Sequence, residues 1–337
     1  MKKEAMLYKK IDNTKVQCTL CAHKCKISES NYGFCNVRKN FEGKLYTLNY
    51  GSIIAAHTDP IEKKPLYHFL PGSKAFSIAT PGCNFRCSFC QNWQISQFKK
   101  EDQNMVKVRY IDPKEIVDTA LNQGCKSISY TYTEPTVFFE YAYDTAKIAK
   151  EKGLKNIFVT NGYMTSDALD KIGPFLDAAN IDLKSSSKDF YNNFCKAKLE
   201  PVLESIKKMK KLGIWVEVTT LVVPEQNDSE NELNKIAGFI SSVGVEIPWH
   251  ISRFHPDYKY NDSYPTPVKT LEKAYKIGKK HGLKYVYLGN VIDEINTLCS
   301  KCGNVLIERE YMSIKKVNID KTGKCSKCGN PVEGVWK

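Results

Sequence analysis

The chain has 337 residues, 42% hydrophobic and 26% charged, ordinary for a soluble globular protein with one large core and small appendages. No stretch approaches the roughly 18 unbroken apolar residues of a membrane span. The opening Met1-Lys2-Lys3-Glu4-Ala5-Met6 lacks the apolar run of a secretory signal, so the expected location is cytoplasmic. The net charge of +13 is scattered over lysines with no basic stripe, which argues against nucleic acid as a partner. The 13 cysteines, in a reducing compartment, point to metal rather than to disulfides.

Those cysteines divide the chain. Residues 1–46 carry Cys18-Thr-Leu-Cys21-Ala-His-Lys-Cys25 and Cys35, a four-cysteine metal-binding module whose metal, zinc or an auxiliary [4Fe–4S] cluster, is left open. Residues 47–75 form a connecting strand and loop. From 76 to 290, short apolar runs alternate with helix-like segments: Phe76–Thr80, Ser127–Thr131, Ile157–Thr160, Ala178–Leu183, Ile214–Val223, Trp249–Ser252 and Tyr285–Leu288. Such runs suit strands buried on both faces, and their spacing is that of βα units. Helix starts are marked by Asp112-Pro113-Lys114-Glu115, by Ser229 with Glu232 and by Thr266-Pro267, and Gly124 can end the first of these. The alternation predicts an α/β fold on a parallel sheet, doubly wound or rolled into a barrel.

Residues 291–337 hold two matching knuckles, Cys299-Ser-Lys-Cys302-Gly303 and Cys325-Ser-Lys-Cys328-Gly329, with a predicted hairpin between them over Val305–Ile319. This reads as a zinc-ribbon or rubredoxin-like module. Zinc would be structural, iron would make an electron relay, and spacing fits both. So short a segment draws much of its folding free energy from the metal.

Directly after the first core strand comes Thr80-Pro81-Gly82-Cys83-Asn84-Phe85-Arg86-Cys87-Ser88-Phe89-Cys90. Three thiolates from one loop leave one iron of a cubane cluster without a protein ligand, and an open iron can chelate a small molecule. This C-x3-C-x-Φ-C pattern, with Phe89 as the aromatic, resembles the radical S-adenosylmethionine (SAM) superfamily. Further stretches match as well: Asp59–Gly72, Cys90–Ser96, Tyr132-Thr-Glu-Pro-Thr136, Val159–Met164, Pro248–Pro256 and Tyr285–Asn290. Together they resemble the radical SAM enzymes of the AmmeMemoRadiSam system, relatives of pyruvate formate-lyase activating enzymes, over nearly the whole chain.

The resemblance implies a partial (βα)6 radical SAM barrel with a [4Fe–4S] cluster and SAM at its carboxyl rim. It assigns Cys83, Cys87 and Cys90 to the cluster. Glu134 would accept from SAM's amino group, although Tyr132-Thr133 stands where relatives have two glycines. Asn161 and Asp182-Leu-Lys184 would contact SAM, Lys184 at its carboxylate and Asp182 able to hold a cation. His250 would lie near the ribose and Phe89 against adenine. Lys63, Lys64, Tyr67, His68, Tyr163, Arg253 and His255 are candidates for the substrate opening.

The reaction implied is reductive cleavage of SAM to a 5′-deoxyadenosyl radical that abstracts hydrogen from a substrate. That substrate is a glycine of a partner protein if the chain is an activase, or else a small molecule. A one-electron reductant such as flavodoxin or ferredoxin is required, and Memo-type and AMME-type proteins are implied associates. A zinc-ribbon nucleic-acid-binding protein is the reading from another class.

Overall fold

The structure is a computed structural model describing residues 1–97, 109–291, 295–310 and 312–337. At its centre is an eight-stranded mixed sheet. Seven strands are parallel and lie side by side in chain order: β2 (Lys74–Ala79), β3 (Ser127–Tyr130), β4 (Lys155–Thr160), β5 (Ala178–Asp182), β6 (Trp215–Val222), β7 (Trp249–Arg253) and β8 (Val286–Gly289). Each coincides with one of the apolar runs. They are legible because both faces are covered: β3 is buried throughout and β2 from its second residue on. The strand expected within the connecting segment is β1 (Ala55–Pro60); what was not foreseen is that it joins the central sheet, pairing antiparallel with β2 at its edge.

Helices cross over between the strands, and their ends follow the capping chemistry. In α1 (Pro113–Asn122) the Asp112 carboxylate accepts from the Lys114 N–H at 2.9 Å. Gly124, at φ +70°, turns the chain out of that helix. α2 (Phe139–Glu151), α3 (Ser166–Ile172) and α4 (Glu200–Lys211) follow. In α5 (Glu230–Val243) Ser229 caps the Glu232 N–H at 3.3 Å, but the Glu232 carboxylate does not return to close a capping box. It accepts instead from Ser185 at 2.5 Å and Ser186 at 2.8 Å, tying the helix to the loop after β5. α6 (Val268–Lys280) starts after Pro267 as expected.

The N-terminal cysteine segment folds as two small three-stranded antiparallel sheets. It is fastened to the main body by backbone pairing of Ala22 with Tyr163 at 3.0 Å and by the buried ion pair Arg38–Glu140 at 2.5 Å. At the other end, β9 (Thr297–Leu298), β10 (Val305–Glu310) and β11 (Ser313–Val317) form the expected hairpin with one extra strand. That module docks through buried polar groups. Arg309 reaches the Tyr67 carbonyl and Thr297 Oγ1, each at 2.7 Å, and His68 joins the Glu333 carbonyl at 2.8 Å and Tyr287 Oη at 2.6 Å. Among the described residues no helix is long and apolar enough to cross a membrane.

Candidate active site

Parallel strands open all their carboxyl ends on one edge of the sheet, and the loops there line a cavity of about 460 Å³. Cys83, Cys87 and Cys90 enter it from the loop after β2. Gly82 makes the turn possible: its φ is +106°, and a Cβ there would lie 2.8 Å from Val37 Cγ1 and 3.3 Å from the Cys35 carbonyl oxygen. The loop is then held by backbone bonds from Arg86 N–H to the Cys195 carbonyl and from Ser88 N–H to the Phe194 carbonyl. The Arg86 guanidinium donates back to the Cys83 carbonyl at 2.8 Å.

Each sulfur has polar company. The Phe85 N–H points at Cys83 Sγ at 3.3 Å, and Ser96 Oγ lies 3.1 Å from Cys90 Sγ. Cys195, left over in the sequence partition, is brought beside Cys87 by a π-helical turn over Tyr191–Cys195. The hydrogen bond it shares with Cys87 holds that thiol below its usual range, and the Lys184 charge helps. Burial pushes the Cys83 thiol well up, with the Glu134 charge adding to it.

Opposite the sulfurs stand Glu134, Asn161, Asp182 and Lys184, all on the cavity wall. Glu134 starts a 3₁₀ turn, and its buried carboxylate accepts from Thr136 N–H at 3.0 Å, Thr160 Oγ1 at 2.7 Å and Asn161 N–H at 2.8 Å. Burial raises its pKa, while those bonds work the other way. Asn161 Nδ2 reaches Asn84 Oδ1 at 2.7 Å, linking the end of β4 to the cysteine loop. Lys184 Nζ donates to Asp182 at 2.8 Å. Burial opposes the ammonium's charge, but Asp182 and the Cys87 and Cys195 sulfurs outweigh it and lift its pKa well above the ordinary value. Phe89 lines the cavity and packs on Phe190 with ring centroids 5.8 Å apart.

Tyr132 solves the missing glycines. It adopts φ +62°, the left-handed conformation a glycine would take freely, at a cost of about 1–2 kcal/mol for a side-chain residue. Its hydroxyl donates to Asp59, and its ring lies 4.6 Å from Lys64 Nζ. Asp59 also accepts from Lys63 at 2.8 Å and Lys64 at 2.7 Å. Burial alone would raise the Asp59 carboxyl, but these donors hold it well below the usual range. Burial brings the Lys64 ammonium down to about 8 despite Asp59.

Several expected rim residues lie elsewhere. His250 is not on the cavity wall: its Nε2 meets the buried Glu217 carboxylate at 2.6 Å. Its strand runs on to Arg253, so Ser252, two residues further along the same face, takes the place at the cavity. Glu217 also accepts the backbone N–H groups of Tyr67 at 3.0 Å and His68 at 2.8 Å, holding that pair against β6, where Arg309 and the Glu333 carbonyl of the C-terminal module meet them. Tyr163 is buried against His23 and Phe85 beside the N-terminal module. Arg253 donates to the Thr266 carbonyl at 2.8 Å, and His255 is exposed; neither lines the cavity, whereas Lys63 and Lys64 do. Sequence reasoning missed Cys195, Thr160 and Tyr132, whose partners are distant in the chain, and Ser96, only six residues from Cys90. A larger hollow of about 860 Å³ between α6 and the C-terminal module contains none of the three loop cysteines.

The other candidate metal centre is closed. Cys299, Cys302, Cys325 and Cys328 bring their sulfurs within 4.8 Å of one another, with Cys299–Cys328 at 3.7 Å and Cys302–Cys325 at 3.9 Å. Metal–sulfur bonds of about 2.3 Å in a tetrahedron place sulfurs about 3.8 Å apart, so one four-coordinate ion fits without movement. Gly303 and Gly329 sit at φ +69° and +68°, as the knuckle turns require.

Three sulfurs, without a fourth cysteine among the described cavity residues, share this cavity with a carboxylate and an ammonium. Residues 77–236 match the Radical SAM superfamily. The chain is 49% identical over 337 residues to the uncharacterized protein MJ0808 of Methanocaldococcus jannaschii, covering 99% of each. It is 23% identical over 213 residues to the pyruvate formate-lyase-activating enzyme of Clostridium pasteurianum, covering 61% of this chain and 87% of that one. In fold it resembles a radical SAM methyltransferase from Sphaerobacter thermophilus, with TM-score 0.53, 12% identity, and 85% of this chain and 76% of that one covered. The chain belongs to the radical SAM superfamily and is an enzyme. When bound, a [4Fe–4S] cluster and SAM supply reductive C5′–S cleavage to a 5′-deoxyadenosyl radical that takes hydrogen from a substrate.

Proposed function

We propose that Cys83, Cys87 and Cys90 ligate this cluster, and that the enzyme is a glycyl-radical-type activase acting on a partner protein. The open iron would chelate SAM's methionine end. Glu134 is suited to its amino group, Lys184 to its carboxylate and Asn161 to orienting both, while Phe89 offers an apolar face to the adenine. The observation that carries the reading is the three-sulfur cavity wall in a chain similar to a pyruvate formate-lyase-activating enzyme over most of that protein's length. An external one-electron donor of the flavodoxin or ferredoxin kind completes the electron balance.

The finer assignments rest on the same motifs. The stretches Asp59–Gly72 and Pro248–Pro256 support membership of the AmmeMemoRadiSam system and, with it, association with Memo-type and AMME-type proteins. Seven parallel strands in chain order support a partial barrel with one strand more than six βα units need. The division at residues 46, 75 and 290 and a zinc-ribbon character for the last segment are part of the same reading. A nucleic-acid-binding protein would leave the cavity without a purpose.

A second reading, hydrogen abstraction from a small acidic molecule, is favoured by Lys63 and Lys64 on the cavity wall. One experiment separates the two. Purified enzyme is incubated anaerobically with reductant, SAM and extract of cells grown on deuterated glycine, split into protein and small-molecule fractions. Deuterium reaching 5′-deoxyadenosine from the protein fraction supports the activase. Transfer only from the small-molecule fraction sinks it.

A further inference from the structure

The N-terminal module holds four sulfurs that the reaction at the cavity does not use. Cys18, Cys21, Cys25 and Cys35 line a common void of about 10 Å³ together with Arg38. That is room for one water-sized sphere kept at non-bonded distance from every sulfur. A bonded metal approaches sulfur much more closely than water does, so the same void admits a metal–sulfide core.

The sulfurs are spaced differently from those of the C-terminal quartet. Among the described residues only the C-terminal set brings three or more ligand atoms within 4.8 Å of one another. A single ion at bonds of about 2.3 Å would need its sulfurs about 3.8 Å apart, and the N-terminal four stand wider than that. In a cubane each thiolate binds its own iron, so the four thiolates spread outward around the core.

Two further features point to an anionic metal centre. Every sulfur faces a backbone N–H: Leu20 to Cys18, His23 to Cys21, Phe34 to Cys25 at 3.4 Å, and Val37 to Cys35. Hydrogen bonds to sulfur are a usual means of stabilising iron–sulfur clusters. Arg38, on the wall of the void and 1% exposed, spends only Nη2 on Glu140, leaving Nε and Nη1 without a hydrogen-bond partner. A buried guanidinium with idle donors is costly unless negative charge stands beside it.

We infer that Cys18, Cys21, Cys25 and Cys35 hold a second [4Fe–4S] cluster, fully ligated by protein and set directly behind the loop that carries Cys83. The Cys35 carbonyl lies against Gly82, and His23 Nε2 meets the Asn84 carbonyl at 2.7 Å, so a single layer of backbone separates the two sites. This inference is independent of whether the substrate is a protein or a small molecule.

The test is anaerobic reconstitution of the full-length chain carrying Cys83→Ala, Cys87→Ala and Cys90→Ala together, with iron, zinc and acid-labile sulfide assayed and Mössbauer spectra recorded. Retention of about four sulfides per chain with a [4Fe–4S] spectrum is expected. Sulfide is the deciding count, because a C-terminal site loaded with iron adds iron but no sulfide. Zinc in the N-terminal module, or no labile sulfide, would overturn the inference. Should the triple variant not fold, the unmodified protein decides: about eight sulfides per chain support a second cluster and about four refute it.

Discussion

The loop cysteines and the C-terminal quartet use the same ligand in opposite ways. The quartet is self-contained: its sulfurs already stand 3.7 and 3.9 Å apart across the tetrahedron, and neighbouring backbone closes the cage. The loop triplet is arranged around an opening, with Glu134, Asn161, Asp182 and Lys184 on the same cavity wall at the ends of β3, β4 and β5. A closed site spends its metal on holding chain together, whereas an open one leaves valence for chemistry. On the proposed reading, one polypeptide would keep a stabilising metal and a reactive one apart.

The sharpest way to break this contrast is Cys87→Ala. Formation of 5′-deoxyadenosine, read by chromatography, should fall below detection while the C-terminal site keeps its metal; persistent SAM cleavage would mean the triplet is not the open site. Cys302→Ala should do the reverse. The C-terminal segment loses several kcal/mol of local stability and is cut by protease under native conditions, while SAM cleavage by the intact core continues. A smaller effect is expected for Glu134→Gln. Losing one charge-assisted interaction of about 1.5–3 kcal/mol weakens SAM binding roughly 10- to 100-fold in titration calorimetry. Unchanged affinity would remove Glu134 from the binding wall.

The smallest effect concerns how the closed module is seated. Burial lowers the His68 pKa to about 4, so the folded protein keeps this ring neutral while the unfolded chain protonates near 6.5. Its contribution is intact above 6.5 and is lost as pH falls from 6.5 toward 4. Stability should therefore drop by about 2 kcal/mol between pH 7 and pH 5 from this group alone. Urea denaturation at the two values checks it, and His68→Gln should flatten the difference. An equally steep loss in the variant would assign the pH dependence to other groups.

Much of this was legible because the signals are local. The parallel strands are runs of apolar residues, and cysteine spacing marks each cysteine cluster without help from the fold. A strand was expected in the connecting segment, but the place of β1 in the sheet was hidden because Ala55-Ala-His-Thr-Asp-Pro60 has no continuous apolar face: it is an antiparallel edge strand whose middle is exposed. That His250 lies off the cavity wall could not be read without its partner. Glu217 sits on the neighbouring strand, and only the fold shows the two side chains meeting at 2.6 Å. Cys195 needed the same information, since nothing near it in sequence announces Cys87.

Tyr132 carries a lesson for finding other such chains. With a bulky side chain it holds the left-handed backbone conformation that glycine adopts freely, and its hydroxyl anchors it to Asp59. A motif search demanding paired glycines ahead of Glu134-Pro135 would pass this enzyme by, although Tyr132 takes a glycine-like φ of +62°. Patterns written in backbone angles rather than residue letters would recover it.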